Sequence, residues 1–132
     1  MISYLNASED ETIQFGTPKY GIKNYPNSYQ QQWFLIVPEG RQVLVEFESF
    51  ELEESKDCKN DYVEIRQAYF SSGDLQAITG ASGEILTGHL CGSTKPSTIQ
   101  SKGNMVWVNF KTDSNTTTVY KGFKATFTSG EW

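Results

Sequence analysis

An antiparallel β-sandwich is the fold class this sequence predicts. Three observations carry it: apolar residues recur with a period of two, helical periodicity is absent, and Gly, Pro, Asn and Ser collect between the alternating runs. Trp33 to Val37 is a short apolar run ended by Pro38, the pattern of a strand buried on both faces. The turn Pro38-Glu39-Gly40 follows, and then Val43, Val45 and Phe47 alternate with Leu44, Glu46 and Glu48. Val63 and Ile65 alternate with Tyr62, Glu64 and Arg66; Val106, Val108 and Phe110 with Trp107, Asn109 and Lys111; Phe123, Ala125 and Phe127 with Lys124, Thr126 and Thr128. Each of these reads as a half-buried strand, because alternate side chains leave opposite faces of the pleat. The segments Ser71-Ser72-Gly73-Asp74, Gly80-Ala81-Ser82-Gly83, Lys95-Pro96-Ser97 and Thr112 to Thr118 are the breaks. Ala68 to Gly83 holds Tyr69, Phe70, Leu75 and Ile78 without alternation and reads as a long loop with packing of its own.

The length, 132 residues, suits one domain spanning residues 1–132. Eight Phe, seven Tyr and three Trp supply large buried area at few positions, so a core is available although only 37% of residues are hydrophobic. The formal charge of −5 has the wrong sign for attraction to phosphate backbones or anionic lipid, which disfavours a nucleic-acid partner. No stretch reaches the roughly 18 apolar residues of a membrane span, so no transmembrane segment is expected. Met1 is not followed by a basic and then an apolar region, so no signal peptide is expected within this segment. It is either cytosolic or cut from a longer exported chain.

Reactive chemistry is sparse. His89 is the single histidine and cannot build a multi-histidine zinc site; GxSxG, Walker-type and GxGxxG motifs are absent. Cys58 and Cys91 are spaced for neither a CxxC redox pair nor a four-ligand zinc site, and one structural disulfide is favoured over two buried thiols. No enzyme activity is expected. Asn6-Ala7-Ser8 and Asn115-Thr116-Thr117 are N-glycosylation sequons, compatible with secretion.

Acidic residues crowd Glu46 to Asp61, and most read as a solvated face. Three acids stand apart. Asp61 sits just before a strand and three residues after Cys58, Glu53 lies in the loop entering that turn, and Asp113 begins the polar loop after Met105 to Thr112. If neighbouring strands bring those loops to one edge, three carboxylates converge. Hard oxygen donors on loops, without nearby sulfur or imidazole, suit calcium better than zinc, copper or magnesium.

A family resemblance enters here. Tyr25-Pro26-Asn27-Ser28-Tyr29, Trp33, Ile36, Pro38, Gly40, Phe47, Phe50, Glu51-Leu52-Glu53 and Cys58-Lys59-Asn60-Asp61-Tyr62-Val63-Glu64-Ile65 resemble the first half of a CUB domain. Cys91-Gly92, Pro96, Ile99, Ser101, Gly103-Asn104, Val106, Val108, Phe110, Thr112-Asp113 and Gly122-Phe123-Lys124-Ala125 resemble its second half. The match runs from about residue 13 to residue 127, in the family's order. The resemblance implies a jelly-roll-like, extracellular, secreted binding module without catalysis of its own, although a parent chain of this kind can carry a separate protease domain. It also implies Ca2+ held by Glu53, Asp61 and Asp113, with Asn115 a further oxygen donor. Together with Tyr29, the three acids would then form the surface that accepts a lysine or arginine from a protein partner. Two other readings stand beside it: a structural or self-association module using Tyr69 and Phe70, and a carbohydrate-binding sandwich using Trp33 and Trp107.

The sequence departs from the family pattern in three places. The additional N-terminal bridge of the four-cysteine form is missing, Gly21 to Asn24 enlarge the early loop, and Ala68 to Gly83 is longer than usual. A glycan on Asn115 would crowd the implied site.

Overall fold

The structure, a computed structural model, describes residues 2–17, 26, 28–68, 70–71, 74–78, 83–113 and 120–130, with the backbone alone for 70–71 and 74–78. Its elements are β1 (Ile2–Asn6), β2 (Thr12–Gly16), β3 (Gln30–Ile36), β4 (Gln42–Glu51), a 3₁₀ turn (Lys56–Cys58), β5 (Tyr62–Gln67), β6 (Phe70–Ser71), β7 (Asp74–Ile78), β8 (Ile99–Gln100), β9 (Met105–Lys111) and β10 (Gly122–Gly130). Among the described residues one sheet has the order β1-β3-β9-β5 and the other β2-β10-β4-β8, while β6 and β7 pair only with each other. The expected sandwich is therefore present.

Its details correct the sequence reading in three ways. First, β1 pairs with β3 in parallel, Ile2 opposite Gln32 through Asn6 opposite Ile36, whereas every other ladder is antiparallel. The chain crosses to the second sheet for β2 and returns for β3, so β1 and β3 start from the same end. Second, the expected loop over Ala68 to Gly83 contains the short β6–β7 ladder. Third, β9 is buried on both faces over Met105–Phe110 instead of being half-buried. It lies between β3 and β5, and its outward Met105 and Trp107 pack with Phe34 and Ala68 in a small cluster of their own.

The main core lies between the two sheets and gathers Trp33 and Leu35 from the apolar run together with Val43, Val45, Phe47, Val63, Ile65, Val106, Val108, Phe110, Phe123 and Phe127, the residues that alternation pointed inward. The central rings meet edge to face: Phe123 lies 5.6 Å from Trp33, 5.7 Å from Phe47 and 5.8 Å from Phe110 between centroids. Such tilted contacts match the quadrupoles of the rings and add to the area they bury.

One backbone position on β10 admits only glycine. Gly122 has φ +95°, and a Cβ there would overlap the Thr17 side chain, whose hydroxyl accepts the amide of Phe123 at 3.3 Å. Gly122→Ala is expected to destabilise the domain by about 1–3 kcal/mol through left-handed strain alone, with the clash adding to it, read as a shifted urea midpoint.

Candidate metal centre

The three separated acids arrive at one end of the sandwich for reasons of strand pairing. Tyr62 of β5 is opposite Lys111 of β9, so Asp61, just before β5, and Asp113, just after β9, leave the same end of one sheet. Glu53 leaves the end of β4 in the facing sheet. One carboxylate oxygen from each of Glu53, Asp61 and Asp113 lies within 4.8 Å of the other two. Glu53 and Asp61 are 9% and 4% exposed, and Asp113 is partly buried. A solvated acidic face would leave such groups open to water, whereas two of these three are buried.

Local hydrogen bonds aim the side chains. Asp61 Oδ1 accepts the backbone N–H of Asp113 at 2.9 Å, which ties the two loops together. Asn60 Nδ2 donates to Glu53 Oε2 at 3.3 Å, holding the glutamate toward the same turn. Unit charges within 4.8 Å of one another repel by at least about 3.5 kcal/mol per pair at an effective dielectric of about 20. The arrangement thus favours a cation, and its donors are carboxylate oxygens on loops, the set that fits calcium.

The turn that delivers Asn60 and Asp61 is unusual. Asp57 and Cys58 have φ of 56° and 48°, two consecutive non-glycine residues in the left-handed region. Such strain persists only where neighbours over-determine it. Here Cys58 N–H donates to Ser55 O at 3.0 Å, Asn60 N–H to Ser55 Oγ at 3.2 Å, and Cys58 is bonded to Cys91 with their Cα atoms 5.5 Å apart. The favoured disulfide is therefore present, across a separation of 33 residues. Closing a loop of that length implies a stabilisation of about 4 kcal/mol in the chain-entropy account. The Cys58→Ser, Cys91→Ser double variant is expected to lose that amount in urea melts, and reduction to relax the turn beneath Asp61.

Tyr29 reaches the site through its backbone. Thr112 Oγ1 accepts Tyr29 N–H at 2.8 Å and donates to Pro26 O at 2.9 Å, while Ser28 N–H donates to Asp113 O at 2.7 Å. These bonds fasten Pro26, Ser28 and Tyr29 to Thr112 and Asp113. The Tyr29 hydroxyl donates to Gln31 Oε1 at 2.9 Å, and its ring tilts against Phe110. Burial raises its pKa above the ordinary phenol value, so it remains a donor. Sequence reasoning gave Asn60 and Thr112 no role of their own; both act through contacts made only when distant loops meet.

The remaining candidates are placed differently. Asn115 and Tyr69 lie outside the described residues, as does the Phe70 side chain. Trp33 and Trp107 are each 3% exposed, so neither offers a face for stacking on sugar. His89 stacks on Tyr62 with centroids 3.7 Å apart, and its Nε2 lies 3.7 Å from Glu64 Oε2. It sits outside the named strands, one residue before the bridge of Leu90 to Val63. No helix among the described residues is long and apolar enough to cross a membrane.

A β-sandwich whose loops assemble three carboxylates at one end defines the class to which the site points, a cation-organised binding module. The CUB domain family model matches residues 6–127, and the chain belongs to that family, whose members are non-catalytic protein-interaction modules. It is 34% identical over 125 residues to human tolloid-like protein 1, covering 95% of this chain and 11% of the relative, so it spans about a tenth of that protein. The full extracellular region of zebrafish Gpr126/Adgrg6 superimposes with a TM-score of 0.71 at 25% identity, over 97% of this chain and 15% of that one. The MASP-1 CUB2 domain bound to Ca2+ superimposes with a TM-score of 0.66 at 20% identity, over 94% of this chain and 96% of that one.

Proposed function

We propose that residues 1–132 form one extracellular, calcium-dependent protein-recognition domain of a longer chain. The observation that carries this reading is the convergence of Glu53, Asp61 and Asp113 within 4.8 Å, two of them buried. The calcium-bound state of a CUB domain of the same fold supports the choice of ion. Extracellular placement is supported by the disulfide and by a relative described as an extracellular region.

Calcium supplies charge neutralisation at this site. Glu53, Asp61 and Asp113 would hold it, with Asn115, two positions after Asp113 in the sequence, as the further oxygen donor. Three carboxylates against one divalent ion leave a net charge of −1, so the loaded site still attracts a cation. Carboxylate oxygens of Glu53, Asp61 and Asp113 would then accept the N–H groups of a partner's lysine or arginine, with Tyr29 as a further contact. A charge-assisted hydrogen bond of this kind contributes about 1.5–3 kcal/mol, so useful affinity draws on surrounding contacts or on several domains acting together.

Calorimetric titration of chelator-stripped protein with CaCl2 tests the first step. Saturable heat at or below millimolar calcium and a raised melting temperature are expected; a flat titration with unchanged melting ends the reading. The second step is tested with lysine-rich and glutamate-rich peptides on the immobilised domain. Binding of the basic peptide alone, abolished by EDTA, is expected, and retention in EDTA would sever recognition from the ion.

A further inference from the structure

We infer that Asn6 carries an N-linked glycan whose first sugar lies on the open face of Tyr4, covering the free edge of the first sheet. Among the described residues β1 is the edge strand of that sheet, and strand edges with exposed apolar side chains invite pairing with another chain unless something blunts them. Here Ile2 and Tyr4 are 51% and 52% exposed. Asn6, the last residue of β1, follows Tyr4 by two positions, so strand geometry puts both on one face about 7 Å apart.

The surroundings suit a sugar. One face of the Tyr4 ring stacks on Phe34, with centroids 5.2 Å apart and planes 13° from parallel, leaving the opposite face for solvent. The Asn6 side chain is exposed and has no hydrogen-bond partner among the described residues. After it the chain leaves the ladder: Ala7 is buried with its N–H on Ile36 O, and the exposed Ser8, the hydroxyl residue of the sequon, opens the turn closed by Glu11 N–H on Ser8 O. A bulky substituent at Asn6 therefore displaces nothing in the core. An aromatic ring held flat by a second ring behind it offers a rigid platform to the C–H-bearing face of a pyranose.

The modification uses a lipid-pyrophosphate-linked oligosaccharide as donor. The Asn6 amide nitrogen bonds to the anomeric carbon of the first sugar. The bond from that carbon to the phosphate oxygen breaks, its electron pair leaves with the lipid pyrophosphate, and one amide proton is released.

This inference rests on the extracellular part of the proposed function and is independent of calcium. The chain is exported from animal cells behind a signal peptide, and only the secreted fraction is analysed, so failure of the calcium titration and failure here are separate results. Enzymatic release of N-glycans, followed by peptide mapping, is expected to convert Asn6 to Asp, and Asn6→Gln to abolish that glycan whatever happens at Asn115. An unmodified Asn6 peptide in the secreted protein overturns the site. For the platform, the glycosylated protein is expected to melt about 3 °C above its enzymatically deglycosylated form, and in Tyr4→Ser that difference is expected to vanish. Because each variant is compared with itself, loss of the Phe34 stack cancels. A difference of the same size in both proteins, or none in the parent, overturns the role of Tyr4.

Discussion

Asp61→Asn is expected to abolish the calcium-induced rise in melting temperature while leaving the ion-free protein as stable as the parent or more so. The side-chain amide oxygen can still accept the Asp113 N–H that Asp61 Oδ1 accepts at 2.9 Å. The substitution therefore keeps the tie between the loops and removes one of three charges confined within 4.8 Å. Without calcium, loss of like-charge repulsion favours the folded state. With calcium, loss of a full negative charge at a buried position is expected to weaken binding by about 100-fold, or about 2.7 kcal/mol. Ligand that binds only the folded state stabilises it by mass action, so the thermal shift at fixed calcium falls with the affinity. Calorimetry with paired melts in EDTA and in millimolar CaCl2 reads both signs. Asp113→Asn should behave alike, whereas Glu46→Gln, an exposed acid in mid-β4, should leave the shift intact. A full shift in Asp61→Asn would remove that residue from the site.

Phe123→Ala is the substitution expected to cost most stability, about 3–5 kcal/mol. Phe123 is fully buried, and Trp33, Phe47 and Phe110 all place rings against it from both sheets. Truncation leaves a void bordered by large rings that cannot turn inward without disturbing their other contacts, Trp33 with Phe15, Phe47 with Phe50 and Phe110 with Tyr29. Against the 5–15 kcal/mol of a typical domain, that loss is a large share of the whole. Thr126→Ala, three residues along the same strand on its outward face, should change stability by less than about 0.5 kcal/mol. Urea melts of the two variants check the contrast.

Much of the fold was legible because a two-residue period records which face of a strand meets the core. Val43, Val45, Phe47, Val106, Val108, Phe110, Phe123, Ala125 and Phe127 are all buried as their alternation indicated. β1 and β8 left no such trace. β8 is two residues long, and β1 buries little apolar surface, so backbone pairing with a neighbour rather than periodicity defines each of them. The alternation around Trp107 and Asn109 misled because a central strand can cover its second face with polar groups. Trp107 Nε1 donates to Gln32 Oε1 at 2.9 Å, and Gln30 Nε2 donates to Asn109 Oδ1 at 3.0 Å, across neighbouring strands.

The linear order of residues was enough to determine the all-β class, the inward-facing core and the chemical character of the three acids, since each follows from local periodicity or from side-chain type. Only the tertiary structure decided that Glu53, Asp61 and Asp113 share one small volume, that the strand at Ile2–Asn6 runs parallel to its neighbour, and that Asn60 and Thr112 hold the loops in place. The physical reason is range: side-chain alternation is written within a few residues, whereas convergence depends on which strands pair and at which register, a choice made by packing between residues more than fifty positions apart in the chain.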